Sequence, residues 1–187
     1  MNIDKAIAIP GWMEERELQW LAEQANAHKC IVEVGSYLGR STRALADNTT
    51  GRVYVIDDWL GPRDVMLRPE DRQQIFDTFV RNMDGLQGKL NVIRTDHRKV
   101  QLDVCPDMVF IDGDHMYDAV AFDIQFWRKK IDIGGLLCGH DIDVPDVYAA
   151  VLEFLDEPLT IMGTRLWYTY LDSHPLYRPS AVTTPNS

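Results

Sequence analysis

The sequence CIVEVGSYLG at residues 30–39 joins a short apolar run to a loop that contains two glycines. The run Cys30–Val34 has the length and the β-branched composition of a buried strand, and it stops at Gly35. The next segment, RSTRALADN at residues 40–48, has the spacing of a helix. This stretch therefore predicts a strand, a tight glycine loop and a helix, which together form a βα unit.

The same alternation of strands and helices continues along the chain. Further strands are predicted at residues 52–56, 90–94, 108–111 and 136–138, and helices at residues 14–28, 70–83, 119–131 and 147–155. Residues 160–170 can add closing strand material at a sheet edge. Because parallel neighbours need crossover connections, this order predicts an α/β fold: a Rossmann-like, doubly wound, mostly parallel sheet with helices on both faces.

The length of 187 residues fits a single domain. We expect residues 1–29 to form an N-terminal helical segment that packs on the sheet, and residues 30–171 to form the domain proper. The tail at residues 172–187 is rich in Pro, Ser and Thr, and we expect it to be flexible.

The net charge of −10 disfavours nucleic acid and anionic membrane surfaces as partners, because both would be repelled. The three cysteines are an odd number without the spacing of a metal site, so we expect reduced thiols and a cytoplasmic protein. The sequence has no secretory signal pattern and no apolar run of about 20 residues, the length needed to cross a bilayer.

The glycine loop has the spacing G-x-x-x-G between Gly35 and Gly39. A dinucleotide-binding loop usually has G-x-G-x-x-G, which allows the backbone to approach a pyrophosphate. Glu33, two residues before the first glycine, suits a ligand that carries an ammonium group. The alternative is a plain glycine turn beside which Glu33 is an incidental charge.

Two further acids follow predicted strands at the edge where ligands of such sheets gather. Asp57 ends the second strand, where a carboxylate can accept hydrogen bonds from both hydroxyls of a ribose. Asp96 follows the third strand and can accept from the exocyclic amine of an adenine. For both residues a capping or loop role is the alternative, because Asp favours such positions.

Acids and imidazoles are concentrated after the fourth and fifth strands. Asp112, Asp114 and His115 follow one strand, and His140 with Asp141 follow the other. Such groups beside apolar strands are costly unless they are solvated, paired or bound to an ion. Carboxylates with one imidazole suit Mg²⁺ or Mn²⁺ better than Zn²⁺, whereas the alternative is a set of helix caps that bind one another.

His115 is the best candidate for a general base, because its ordinary pKa lies near neutrality and it stands on the same predicted rim as Asp112. A lone histidine is usually structural. The acids around His115 favour a chemical role.

Four blocks of sequence resemble a known family. They are EVGSYLGRST at residues 33–42, VIDDW at 55–59, FIDGDHMYDAVAFDI at 110–124 and GGLLCGHD at 134–141. They resemble the metal-assisted branch of the class I methyltransferases that use S-adenosylmethionine (SAM). That branch includes macrocin O-methyltransferase, cephalosporin hydroxylase-type methyltransferases and, more distantly, catechol O-methyltransferase. The resemblance covers about residues 30–170.

The resemblance implies a role for each matching residue. The methionine part of SAM would be lined by Glu33, Gly35, Ser36, Gly39 and Ser41, with Asp57 at the ribose and Asp96 at the adenine. Asp112, His140 and Asp141 match the metal positions, and His115, with Asp112 beside it, matches the catalytic base. His140 departs from relatives that carry a second acid there.

The reaction implied is an in-line transfer of the SAM methyl group to a hydroxyl of a small molecule, a sugar or a glycosylated natural product. Residues 59–69 and Trp12 with Met13 are expected to form a lid and rim for this acceptor, although exposed aromatics equally suit a homo-oligomer contact. An NAD-dependent oxidoreductase on the same type of sheet, and a non-catalytic SAM-binding module, are the competing interpretations.

Overall fold

The computed structural model describes residues 1–61 and 68–171, and this part of the chain contains six α-helices and seven strands. The helices are α1 (Asp4–Ala8), α2 (Glu15–Ala27), α3 (Arg40–Asn48), α4 (Pro69–Asn82), α5 (Tyr117–Trp127) and α6 (Pro145–Phe154). The strands are β1 (Cys30–Val34), β2 (Arg52–Asp57), β3 (Leu90–Arg94), β4 (Met108–Ile111), β5 (Leu136–Gly139), β6 (Leu159–Thr160) and β7 (Trp167–Tyr170).

The strands form one sheet in the order β3-β2-β1-β4-β5-β7-β6. The first five strands are parallel, and β7 runs antiparallel to both β5 and β6. The strand order reverses between β1 and β4, which pair directly, and ligands of open α/β sheets bind at such a switch point. The predicted doubly wound, mostly parallel α/β fold is therefore confirmed.

Helices cover both faces of the sheet, because the crossover helices that connect parallel strands pack on those faces. On one face, side chains of α1 to α4 pack on β1, β2 and β4 in a common core that extends from Ile3 to Leu166. On the other face, α5 and α6 pack around Trp127 and Leu137. The N-terminal segment therefore shares its core with the sheet.

Most predicted elements agree with the structure to within a few residues, but two segments differ. Helix α1 was not predicted, because five residues are too few to display a helical period. Residues 160–170 give two short antiparallel strands joined by a turn. The predicted tail at residues 172–187 lies outside the described residues.

The predicted lid and rim are wrong for two of their residues. Trp59 is almost fully buried, with its ring 4.8 Å from that of Phe76 and 5.0 Å from that of Phe79. Met13 is also buried, because its side chain joins the core under the N-terminal segment. Trp12 is exposed as expected, and residues 62–67 of the proposed lid lie outside the described residues.

Arg40 at the start of α3 fixes the path of the N-terminal segment. Its guanidinium donates hydrogen bonds to the carbonyl oxygens of Ile7, Ile9 and Met13. The carbonyl of Ile7 lies in the last turn of α1, and those of Ile9 and Met13 come after this helix. None of the three has a hydrogen-bond donor within the helix. The residues that lead into α2 are thereby held against the glycine loop.

Candidate functional site

The carboxyl ends of the five parallel strands bring the predicted site residues to one edge of the sheet. Gly35 follows β1, Asp57 ends β2, and Asp96 follows β3. Asp112 follows β4, and Asp141 comes two residues after β5. All five predicted positions therefore lie along the edge where such sheets bind ligands.

The glycine loop lies directly against the end of β4. Gly35 has φ of 84°, and a Cβ atom at this residue would overlap the backbone of Asp112 and Gly113. Gly39 has φ of 88° and begins α3, where a Cβ would come within 2.5 Å of the Met83 side chain. Both predicted glycines are therefore required by backbone conformation and by space.

Glu33 is a buried acid with an unpartnered oxygen. Its Oε2 accepts hydrogen bonds from Ser36 Oγ at 3.0 Å and Thr42 Oγ1 at 2.5 Å, while Oε1 is buried without a hydrogen-bond partner. Burial raises its pKa to about 7, against the opposing effect of the nearby hydroxyls of Ser41, Thr42 and Ser36. A buried acceptor without a donor is costly, so this carboxylate fits a ligand that brings an ammonium group. Thr42 was not predicted.

Asp57 holds the glycine loop in place. Its Oδ2 accepts hydrogen bonds from the backbone N–H groups of Ser36 at 2.8 Å and Tyr37 at 3.0 Å, and its Oδ1 accepts from Trp59 N at 2.6 Å. Burial raises the pKa of Asp57 despite these donors. Its predicted contact with a ribose stays a prediction beside this structural role.

Asp96 caps the short 3-10 turn at His97–Lys99, where its Oδ1 accepts from Arg98 N at 2.9 Å. This is the capping role that the sequence left open, and the predicted adenine contact remains a prediction. Next to it, His97 Nδ1 lies 2.6 Å from Oδ1 of the buried Asp123 in α5. The pair anchors the turn to the helix below.

Three side chains of the acid and histidine cluster come close enough to share one ion. Ligand atoms of Asp112, His115 and Asp141 all lie within 4.8 Å of one another. His115 Nε2 lies 2.9 Å from Asp141 Oδ2, and this hydrogen bond raises the pKa of the half-exposed imidazole. Asp141 has φ of 58°, so a strained backbone aims its carboxylate into the cluster.

His140 lies behind this group and is buried among carboxylates. Its Nδ1 is 3.2 Å from Asp141 Oδ1 and 3.6 Å from Asp112 Oδ1. Its Nε2 is 3.2 Å from Glu17 Oε2, a charge contact without the angle of a hydrogen bond. Burial opposes its charge, but Asp141 and Glu17 raise its pKa to about 10. A protonated imidazole has no lone pair for a metal, so the raised pKa disfavours His140 as a ligand, and its predicted role as a ligand stays a prediction.

Sequence reasoning missed two residues of the cluster, Glu17 and Arg165. Arg165, in the turn between β6 and β7, donates from Nη1 to Asp141 Oδ1 at 2.8 Å. Its backbone N–H donates to Oε1 of Glu17, a buried acid at the start of α2. One signal could have revealed Glu17, because it falls four residues before Leu21 on the apolar stripe of its helix. Arg165 gave no such signal.

The donor set fits a divalent cation in chemistry and spacing. Two carboxylates and an imidazole are the kinds of ligand that Mg²⁺ or Mn²⁺ takes, together with waters. Burial raises the pKa of Asp112 to about 7 against the attraction of His140, and a nearby cation would favour its charged form. His140 and Arg165 already place two positive charges beside Asp141, and these compete with any metal for its carboxylate.

Replacement of Glu17 by glutamine is expected to destabilise the fold by about 3 kcal/mol, because the buried imidazolium of His140 loses the carboxylate beside Nε2 and keeps only those beside Nδ1. Urea unfolding at pH 7 measures the effect, with Glu15→Gln as the control, because Glu15 is exposed on the same helix. The pKa of His140 is higher in the folded chain than in the unfolded one, so its stabilisation is complete below about pH 6.5 and is lost as the pH rises towards 10. Equal stability of the two variants at pH 7 would contradict the ion pair.

The sheet order, the glycine loop after β1 and the acids at the strand ends define a class I methyltransferase that uses SAM. A family model described as a methyltransferase domain matches residues 32–142, which is more than half of the chain. The protein belongs to this methyltransferase family. The match favours methyl transfer over the oxidoreductase alternative.

Solved structures share this fold at low sequence identity. Cofactor-bound Rv0187 from MTB is 18% identical with a TM-score of 0.67, and the match covers 90% of this chain and 86% of that one. CalS11, a TDP-rhamnose 3'-O-methyltransferase of calicheamicin biosynthesis, is 13% identical with a TM-score of 0.61, covering 86% and 82%. The N-methyltransferase NodS from Bradyrhizobium japonicum WM9, in complex with S-adenosyl-L-homocysteine, is 17% identical with a TM-score of 0.57, covering 84% and 85%.

No curated protein matches the chain in sequence. Within the described residues, none of the helices combines the length and the apolar character that a membrane span requires.

Proposed function

We propose that this methyltransferase transfers the methyl group of SAM to a hydroxyl oxygen of a small molecule, a sugar or a glycosylated natural product. The observation that carries the proposal is the contact of His115 Nε2 with Asp141 Oδ2 at 2.9 Å, beside Asp112 and next to the glycine loop. A hydroxyl needs a base to become a good nucleophile, and this pair supplies one at the edge of the sheet.

The cofactor is proposed to lie along the loop after β1. The unpartnered Oε1 of Glu33 suits the ammonium of its methionine part, with Gly35, Ser36, Gly39 and Ser41 around it. Asp57 and Asp96 are proposed at the ribose and the adenine. Asp57 would have to share its carboxylate between the cofactor and the loop N–H groups that it already binds.

The chemistry divides between the cofactor and the protein. When bound, SAM supplies a methyl group on a positively charged sulfur, and a divalent cation supplies positive charge beside the acceptor oxygen. Asp141 orients the imidazole of His115 through Nε2, so Nδ1 is the ring nitrogen that takes the hydroxyl proton. Methyl transfer needs no covalent help from the protein, and positioning carries most of the acceleration.

The divalent cation is proposed at the carboxylates of Asp112 and Asp141, which the cluster brings together. Calorimetric titration of metal-stripped protein with Mn²⁺ is expected to show one site, and Asp112→Asn is expected to abolish it. A chelator should suppress methyl transfer reversibly. If the metal-stripped protein binds no Mn²⁺ and stays fully active, the proposed cation site is wrong and His115 acts without a metal.

The test of the function itself begins with the cofactor. Calorimetry should give binding of SAM and none of NAD, and incubation with vicinal diols should release S-adenosyl-L-homocysteine. Binding of SAM without turnover of any hydroxyl or amine acceptor would favour the non-catalytic module instead. Turnover of amines alone would favour N-methylation.

The partner classes follow from charge and chemistry. We propose a small-molecule or glycan acceptor, and no nucleic acid or membrane partner, because the chain carries a net charge of −10. We propose a cytoplasmic location, because the three cysteines are an odd number without the spacing of a metal site.

A further inference from the structure

Two large aromatic side chains are exposed next to each other at the site edge of the sheet. Trp12 exposes 72% of its surface and Tyr37 41%, and their ring centroids are 5.1 Å apart with a tilt of 39°. Single exposed apolar residues are ordinary, but adjacent exposed aromatics beside a polar cluster are typical of a surface that binds a ligand.

The backbones of Trp12 and Tyr37 contact the two halves of the site. The carbonyl oxygen of Trp12 accepts a hydrogen bond from Arg165 Nη2 at 2.9 Å, and Nη1 of the same guanidinium donates to Asp141. The backbone N–H of Tyr37 donates to Asp57 at the glycine loop. A methyl acceptor must reach both the donor at this loop and the base at the cluster, so it has to lie beside this pair.

The backbone that carries each ring is held in place before any ligand arrives. Arg40 binds the carbonyls on either side of Trp12, at Ile9 and Met13, and so fixes the backbone that carries the indole. Tyr37 has φ of 49°, a conformation that a bulky side chain seldom adopts, and its carbonyl accepts from the buried Trp59 Nε1. Preorganised aromatic surfaces bind with little loss of conformational entropy.

We propose that Trp12 and Tyr37 form an aromatic platform that binds the apolar face of a hydroxylated ring, with the ring hydroxyl directed at His115. The proposal rests on the proposed function and defines its acceptor class. Aromatic rings and the C–H face of a pyranose share this chemistry, because both present a flat apolar surface next to hydroxyls.

The test uses the full chain loaded with S-adenosyl-L-homocysteine and two probes, catechol and methyl α-rhamnopyranoside. Saturation-transfer NMR is expected to show contact of one or both probes with wild-type protein. Trp12→Ala should weaken that binding roughly tenfold, while Trp12→Phe should keep most of it. Affinity for S-adenosyl-L-homocysteine should stay within about twofold. The probe that binds identifies the ring as aromatic or sugar.

Tyr170→Ala is the matched control, because Tyr170 is also an exposed aromatic but pairs with Leu136, at the opposite end of β5 from the site. It should leave probe binding unchanged. The platform is overturned if neither probe binds, if Trp12→Ala binds as wild type, or if that variant changes only the oligomeric mass, which would make the pair a subunit contact. If the wild-type protein does not bind S-adenosyl-L-homocysteine, the proposed function is refuted instead.

Discussion

His115→Ala is expected to lower the rate of methyl transfer at least about 100-fold, because proton removal by a positioned base contributes this much or more. SAM affinity should hardly change, because His115 belongs to the acid and histidine cluster and not to the glycine loop. Release of S-adenosyl-L-homocysteine measures the rate, and calorimetry measures the affinity. The split between rate and affinity separates a base from a residue that only supports the fold.

His28→Ala is the control for this experiment. His28 follows α2 next to the amino end of β1, so its removal should leave the rate unchanged.

The pH profile adds a second readout. Asp141 raises the pKa of His115, so activity should fall as the pH drops through that raised value, and Asp141→Asn should move the fall to lower pH. If His115→Ala is fully active, His115 is not the base and another group removes the proton.

The elements that the sequence predicted best are those that local pattern determines. The strands Cys30–Val34, Leu90–Arg94 and Met108–Ile111 have the bounds that their apolar runs predict. Cys30–Val34 and Met108–Ile111 are largely buried interior strands, which a continuous apolar run predicts, whereas Leu90–Arg94 is a partly exposed edge strand. Each acid lies at the end of its strand or within two residues of it, which follows from the connectivity of the fold.

The charge partners of the cluster could not be predicted in the same way. Glu17 and Arg165 lie far from Asp141 in sequence, and only the packing of α2 and the β6–β7 turn on the sheet edge brings them to it. Glu17 is one of the groups that raise the pKa of His140, so the chemistry of His140 could not be predicted from its position after β5. The sequence predicts which residue lies at the end of a strand. The charge state and the hydrogen-bond partners of that residue depend on the elements that pack against it.

Trp59 illustrates the same limit for packing. An aromatic residue after a strand and before a loop with Gly and Pro has the pattern of an exposed rim. The backbone at Trp59 instead adopts φ of 54°, and the indole turns inward onto Phe76 and Phe79. The positive φ of Trp59 is unfavourable for most residues. Its cost in free energy is compensated by the aromatic contacts with Phe76 and Phe79, which form only when α4 packs on the sheet.

Gly35→Ala is expected to abolish detectable SAM binding and to destabilise the fold by about 3 kcal/mol. Two causes add at this residue, since alanine disfavours φ of 84° and its Cβ would overlap the backbone of Asp112 and Gly113. Backbone atoms cannot rotate away as a side chain can. Strands β1 and β4 must therefore separate where the donor and the acceptor sites meet.

Gly85→Ala isolates the effect of positive φ from the effect of steric overlap. Gly85 has φ of 81° but no atom within 4 Å of the position of an added Cβ, so its substitution should cost only about 1 kcal/mol and leave SAM binding intact. Gly88→Ala, without positive φ or contact, should be nearly neutral. The difference between Gly35→Ala and Gly85→Ala in urea unfolding measures the overlap with the backbone of Asp112 and Gly113 alone. If Gly35→Ala keeps wild-type affinity for SAM, the loop after β1 does not bind the cofactor, because the substitution fills the space where that loop meets Asp112.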